Sequence, residues 1–116
     1  PYHCQCHVTT RLIKEQRPYK DIPIETTFQS RFGPSEWLQP YTDKTLEALP
    51  SMGVTRIMMA TPGFSSDCVE TLEEIAIEGQ ATFKEARGSD FHMVSCLNDS
   101  PSHIRMIHTL IKPYLK

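Results

Sequence analysis

The run Val54-Thr55-Arg56-Ile57-Met58-Met59-Ala60 is largely apolar and is closed off by Gly53 on one side and Pro62 on the other. A run of this length and content reads as a strand covered on both faces, the habit of a parallel sheet packed between helices. Parallel strands cannot be joined by a hairpin, so the neighbouring segments must supply crossovers. This one constraint organises the rest of the chain.

The flanking segments meet it. Tyr2 to Gln16 carries Val8, Leu12 and Ile13 among helix formers and stops before Arg17-Pro18, which predicts a helix and then a loop. Ile22 to Phe28 holds Ile22, Ile24, Thr26 and Thr27 in close succession and predicts a strand ending in the turn Gln29 to Pro34. A second helix is expected from Thr42 until about Pro50 to Gly53, and a third from about Ser66 to Ala86, closed by Arg87-Gly88-Ser89. Asp90 to Leu97 is a third strand candidate, and Asn98-Asp99-Ser100-Pro101 opens a last helix through Ile104, Ile107, Leu110 and Ile111. The order α-β-α-β-α-β-α predicts an α/β fold, a three-layer α/β/α sandwich around a parallel sheet. With 116 residues, the chain is expected to form one domain, residues 1–116.

In such a sheet, ligands sit beyond the carboxyl ends of the strands. Three loops meet that rule: Gln29 to Tyr41, Thr61 to Asp67 and Leu97 to Pro101. The acidic helix starts at the middle one. On an α-helix, Glu70, Glu74 and Glu78 advance by about 40° per step and rise roughly 12 Å in total, so they form one row. That row can pass protons or a metal ion along, or it can be a solvated polar face. Val69, Leu72, Ala76, Gly79 and Phe83 mark the expected core stripe, nearly opposite the glutamates. Asp67 with Glu70 also has the spacing of a capping box.

Charge and cysteine content narrow the class. The net charge is −2 with Lys and Arg scattered, which leaves no electrostatic footprint for nucleic acid. No run approaches the ~18 apolar residues of a spanning helix. The opening Pro1-Tyr2-His3-Cys4 reads as the interior of a longer sequence. Four cysteines, Cys4, Cys6, Cys68 and Cys96, lack the regular spacing of a disulfide scaffold, which favours a reducing compartment. His3-Cys4-Gln5-Cys6-His7 lacks the C-x₂₋₄-C spacing and the second ligand pair of a structural zinc site, and on a helix Cys4 and Cys6 also point about 200° apart.

Three blocks carry a family resemblance: Phe28-Gln29-Ser30-Arg31-Phe32-Gly33-Pro34-Ser35-Glu36-Trp37-Leu38-Gln39-Pro40-Tyr41-Thr42, then Pro62 to Ile75, then Ser95-Cys96-Leu97-Asn98-Asp99-Ser100. In order and spacing they resemble the carboxyl-terminal half of a bacterial ferrochelatase. The resemblance implies one Rossmann-like half of a chelatase-type fold, the missing amino-terminal half being its partner. It implies a lyase of haem and porphyrin biosynthesis that inserts Fe²⁺ into protoporphyrin IX, with this piece inactive alone. Glu70, Glu74 and Glu78 match the family's catalytic glutamate and the acidic row behind it. Carboxylates about 6 Å apart are expected to hold one another's pKa up and so to relay protons.

Trp37 matches a position where the family has an aromatic ring near its porphyrin, or is an ordinary half-buried loop tryptophan; Ser30 and Arg31 lie just past a strand's carboxyl end, where a cation meets a propionate or caps the turn. Glu70 and Cys68 are the candidate metal contacts; many relatives have a histidine in place of Cys68, which here is either a soft ligand or a small apolar filler. The family's other active-site histidine belongs to a motif absent from this chain. Fe²⁺ enters as substrate, with no tightly bound cofactor, and no iron–sulfur cluster is expected, since no cysteine follows Cys96. A cytoplasmic protein in peripheral contact with the inner membrane is implied, and exposed Phe32, Trp37 and Leu38 predict self-association. Two rival readings are a chelatase for another metal or tetrapyrrole and a non-catalytic porphyrin-binding or subunit-interaction module.

Overall fold

The computed structural model describes Pro1–Lys116. Four α-helices, α1 (Tyr2–Gln16), α2 (Thr42–Ala48), α3 (Gln80–Glu85) and α4 (Pro101–Ile111), accompany two strands, β1 (Arg56–Met59) and β2 (Asp90–Met93). The strands pair in parallel with Arg56 opposite Asp90 and Met59 opposite Met93. The helical connection between them runs from Glu70 to Glu85, so an α/β crossover on parallel strands is what the chain builds.

Two expected features differ. Ile22 to Phe28 forms no strand: a single bridge joins Phe28 to Tyr41, through Phe28 N–H to Pro40 O (2.9 Å) and Thr42 N–H to Phe28 O (3.0 Å). Pro23 has no N–H to give a ladder, and Ile22 and Ile24 lie open to solvent with nothing to cover them. The sheet therefore has two strands and is not the three-stranded one expected. Nor is β1 covered on both faces. Ile57 and Met59 turn towards the helices, whereas Met58 is 70% exposed on the other side.

The core lies between the sheet and one helical layer. Leu46, Ile75, Phe83 and Phe91 are buried together, with Leu49, Ile57, Met59 and Met93 packed around them. Phe83 and Phe91 meet with ring centroids 6.1 Å apart at a tilted angle, a favourable aromatic geometry. Gly79 lets α2 approach: a Cβ there would stand 3.2 Å from Leu46 Cδ1 and 3.4 Å from Glu74 O. Only 9 of 116 residues are buried, and the radius of gyration is 16.0 Å, against about 13 Å for a compact domain of this length. The open face is extensive. Ile104, Ile107, Leu110 and Ile111 of α4 are exposed, and His103 is that helix's sole buried residue. No helix is long and apolar enough to cross a membrane.

Candidate active site

The acidic segment is not the single α-helix that its spacing suggests. Glu70–Gly79 is wound as a π-helix and α3 continues from Gln80. Hydrogen bonds from i to i+5 put more than four residues in each turn, so a step of four falls just short of a full circle instead of just past it. Residues four apart therefore stay aligned along the axis. Thr71, Ile75 and Gly79 form the buried row, and Glu70, Glu74 and Glu78 form the row next to it. The expected core stripe is thus corrected: Val69 (66%) and Leu72 (52%) face solvent, and the glutamates lie beside the core, not opposite it. Position decides their character. Glu70 and Glu78 are exposed while Glu74, between them, is half-buried.

Glu74 is held by the loop that follows Phe28. The Ser30 backbone N–H donates to Oε1 (2.6 Å) and the Ser30 hydroxyl to Oε2 (2.7 Å), while Gln29 Nε2 donates to Oε2 (3.3 Å) and to Glu70 O (3.0 Å). The two Ser30 bonds are short, as hydrogen bonds to a carboxyl group can be. Ser30 reaches this geometry at φ 60°, a left-handed conformation uncommon for a residue with a Cβ. Strain of that sort persists where the surroundings over-determine it, and two bonds to one carboxylate do so. Trp37 braces the same turn by donating its indole N–H to Gln29 O (3.0 Å), and Arg31 lies 5.5 Å over the Tyr41 ring.

Two clefts adjoin the row. The larger, about 450 Å³, lies between Phe28, Tyr41 and the Glu74–Glu78 side; the smaller, about 380 Å³, is bordered by Glu70, Glu73, Glu74, Glu78 and Arg31. Ser30, Arg31, Glu74 and Glu78 belong to both. Four carboxylates against one guanidinium leave the smaller cleft acidic, a field that draws cations. No three His, Cys, Asp or Glu side chains converge closely enough to hold a metal ion by themselves. Trp37 lines neither cleft.

The other two loops are riveted together at the carboxyl ends of the strands. Asp67 accepts from Asn98 Nδ2 (2.8 Å), Thr71 Oγ1 (3.0 Å) and Cys96 N–H (3.3 Å), while its own N–H donates to Asn98 Oδ1 (2.8 Å). The capping box is therefore not formed, because the N–H that Glu70 would have reached is taken by Asn98. The Asn98 side chain, with smaller contributions from Cys96 and Thr71, holds the Asp67 carboxyl below its ordinary value against the opposing effect of burial. Burial pushes the Cys96 thiol up, with the Asp67 and Cys68 charges adding to the rise.

Glu70 contradicts the expectation of mutually raised pKa values. The Cys68 thiol, followed by the backbone N–H of Glu70, holds its carboxyl below the usual carboxylate value. Cys68 is half-buried, two residues before Glu70. Gln29, Thr71 and Glu73 belong to the site and were not apparent from spacing. A polar residue directly before Ser30 was the one signal that could have pointed to Gln29.

The whole-chain comparison agrees with the residue blocks. Residues 1–115 match the family model described as Ferrochelatase. The chain is 52% identical over 116 residues to a ferrochelatase of Allorhizobium ampelinum, covering 100% of this chain and 34% of that protein. It is 53% identical over 112 residues to one of Chelativorans sp. (97% and 32%) and 51% identical over 120 residues to one of Shewanella denitrificans (99% and 36%). The chain spans about a third of the length of the curated relatives it matches. It belongs to the ferrochelatase family.

Proposed function

We propose that this chain is the carboxyl-terminal part of a ferrochelatase, a lyase that inserts Fe²⁺ into protoporphyrin IX, and that it needs the remainder of the enzyme to turn over. The observation that carries this reading is the half-buried Glu74 carboxylate, fixed by Ser30 between two exposed glutamates on one aligned row. Insertion of a divalent ion into a porphyrin releases two pyrrole protons, which need an acceptor and an exit. Glu70 lies exposed at one end of the row, where its carboxylate can present a hard oxygen to Fe²⁺ or take up a pyrrole proton. Glu74 and Glu78 continue the path along the clefts.

Carboxylate oxygens in a row, without a converging chelate, suit an ion that is handed on. Arg31 offers a cation to a propionate, and Trp37 sets the turn that carries it. Ser30 contributes by positioning Glu74, since both its polar groups bind that carboxylate. The other wall of the porphyrin slot belongs to the amino-terminal part, which would also cover the open face of the sheet; without it, Phe32, at 86% exposed, favours self-association. Four free cysteines fit a reducing cytoplasm, with contact to the inner membrane peripheral. No resident cofactor takes part in this reading.

In the complete enzyme, Glu70→Gln should lower porphyrin metallation far more than Glu85→Gln, which alters a glutamate late in α3 and off the row. Equal losses would remove the row from the chemistry.

A further inference from the structure

The start of α1 carries two histidines at spacing four, His3 and His7, apart from the carboxylate row. Their Nε2 atoms are 3.3 Å apart and their ring centroids 4.6 Å. The nitrogens are nearer than the ring centres, so the two Nε2 edges converge. Two imidazole nitrogens bound at about 2.0–2.1 Å to one ion stand about 3.3–3.4 Å apart at a tetrahedral angle, the spacing already present, and about 2.9 Å apart at a right angle, which a small rotation of the rings reaches. Phe28 holds both rings in place: His3 stacks on it at 5.3 Å and His7 meets it edge-on at 6.3 Å. Phe28 is buried, so the two exposed rings rest on a side chain fixed in the core, which favours the converged arrangement before an ion arrives.

We infer that His3 and His7 form a second, surface site for a borderline divalent transition metal of the Zn²⁺, Ni²⁺ or Cu²⁺ class, bound through both Nε2 atoms. Neutral imidazole suits these ions, and histidines four apart on one helix face are a recurrent way of presenting it. No third His, Cys, Asp or Glu joins them, and both rings are exposed, so water completes the coordination and the ion exchanges freely. In the metal-free pair one Nε2–H donates to the other Nε2. On binding, that proton is exchanged through water for one on Nδ1 of the same ring, freeing both Nε2 lone pairs without change of net charge or oxidation state. Neither histidine lines the clefts beside the glutamates, so the site is separate from the carboxylate row.

Calorimetric titration of Ni²⁺ into the complete polypeptide carrying this chain, with the glutamate row neutralised as Glu70→Gln and Glu74→Gln, tests the assignment. One binding event should persist in that background, weaken by about tenfold or more in His3→Ala and in His7→Ala, and stay unchanged in His108→Ala. With Cu²⁺, electron paramagnetic resonance should show nitrogen couplings from two imidazoles that each single variant halves; circular dichroism confirms that the variants are folded. Wild-type affinity in folded His7→Ala, or loss of the event on neutralising the glutamates alone, would overturn it.

Discussion

Ser30 joins the loop after Phe28 to the carboxylate row, and its contribution can be separated into two parts. Ser30→Ala removes the 2.7 Å hydroxyl bond to Glu74 but keeps a Cβ, so the strain at φ 60° is unchanged. A hydrogen bond to a charged group contributes about 1.5–3 kcal/mol, and water reaching a half-buried carboxylate recovers part of it, which leaves a loss of about 1–2 kcal/mol. Ser30→Gly loses the same bond but relieves a left-handed penalty of about 1–2 kcal/mol, offset by about 0.5–1 kcal/mol of extra chain entropy. The expected order of stability is therefore wild type, then glycine, then alanine. Urea unfolding of the complete polypeptide measures it, and exchange of the Ser30 amide, which donates to Glu74 at 2.6 Å, reports the loop locally. A double-mutant cycle with Glu74→Gln should give a coupling of about 1 kcal/mol. Alanine within about 0.3 kcal/mol of wild type, or more stable than glycine, would refute the clamp.

Phe83 is fully buried, so Phe83→Ala should cost about 3–5 kcal/mol by urea unfolding, and Gly88→Ala, whose Cβ would collide with the Phe83 ring, about 1–3 kcal/mol. Because the folded Asp67 carboxyl lies below its ordinary 3.8, its contribution to stability is complete above that value and is lost as pH falls through the lower folded value. Asp67→Asn should flatten that part of the acid-unfolding curve, and an unchanged slope below pH 3.8 would remove Asp67 from the linkage. Cys68→Ala removes the largest influence on Glu70, whose carboxyl should rise towards 4.5 in a ¹³C NMR titration; no rise would mean that another group holds it down.

The chain's own order of residues determined which segments become helices, the parallel pairing of β1 with β2, and the row of Glu70, Glu74 and Glu78. Those follow from local periodicity: a Gly- and Pro-bounded apolar run, helical spacing on either side and carboxylates four apart all act over a few neighbours. Ser100 as the cap of α4, donated to by His103 N–H, was likewise legible from Asn98-Asp99-Ser100-Pro101. The tertiary structure alone decided which way those residues face. An i to i+5 winding over Glu70–Gly79 has the same local composition as an α-helix, yet it brings the glutamates beside the core and exposes Val69 and Leu72. The Ser30–Glu74 clamp spans 44 residues and the Asp67–Asn98 rivet 31, and contacts so distant along the chain leave no periodic trace in it. The same holds for Ile22 to Phe28, whose β-branched content needs a paired neighbour before it can become a strand, and the surrounding fold does not provide one.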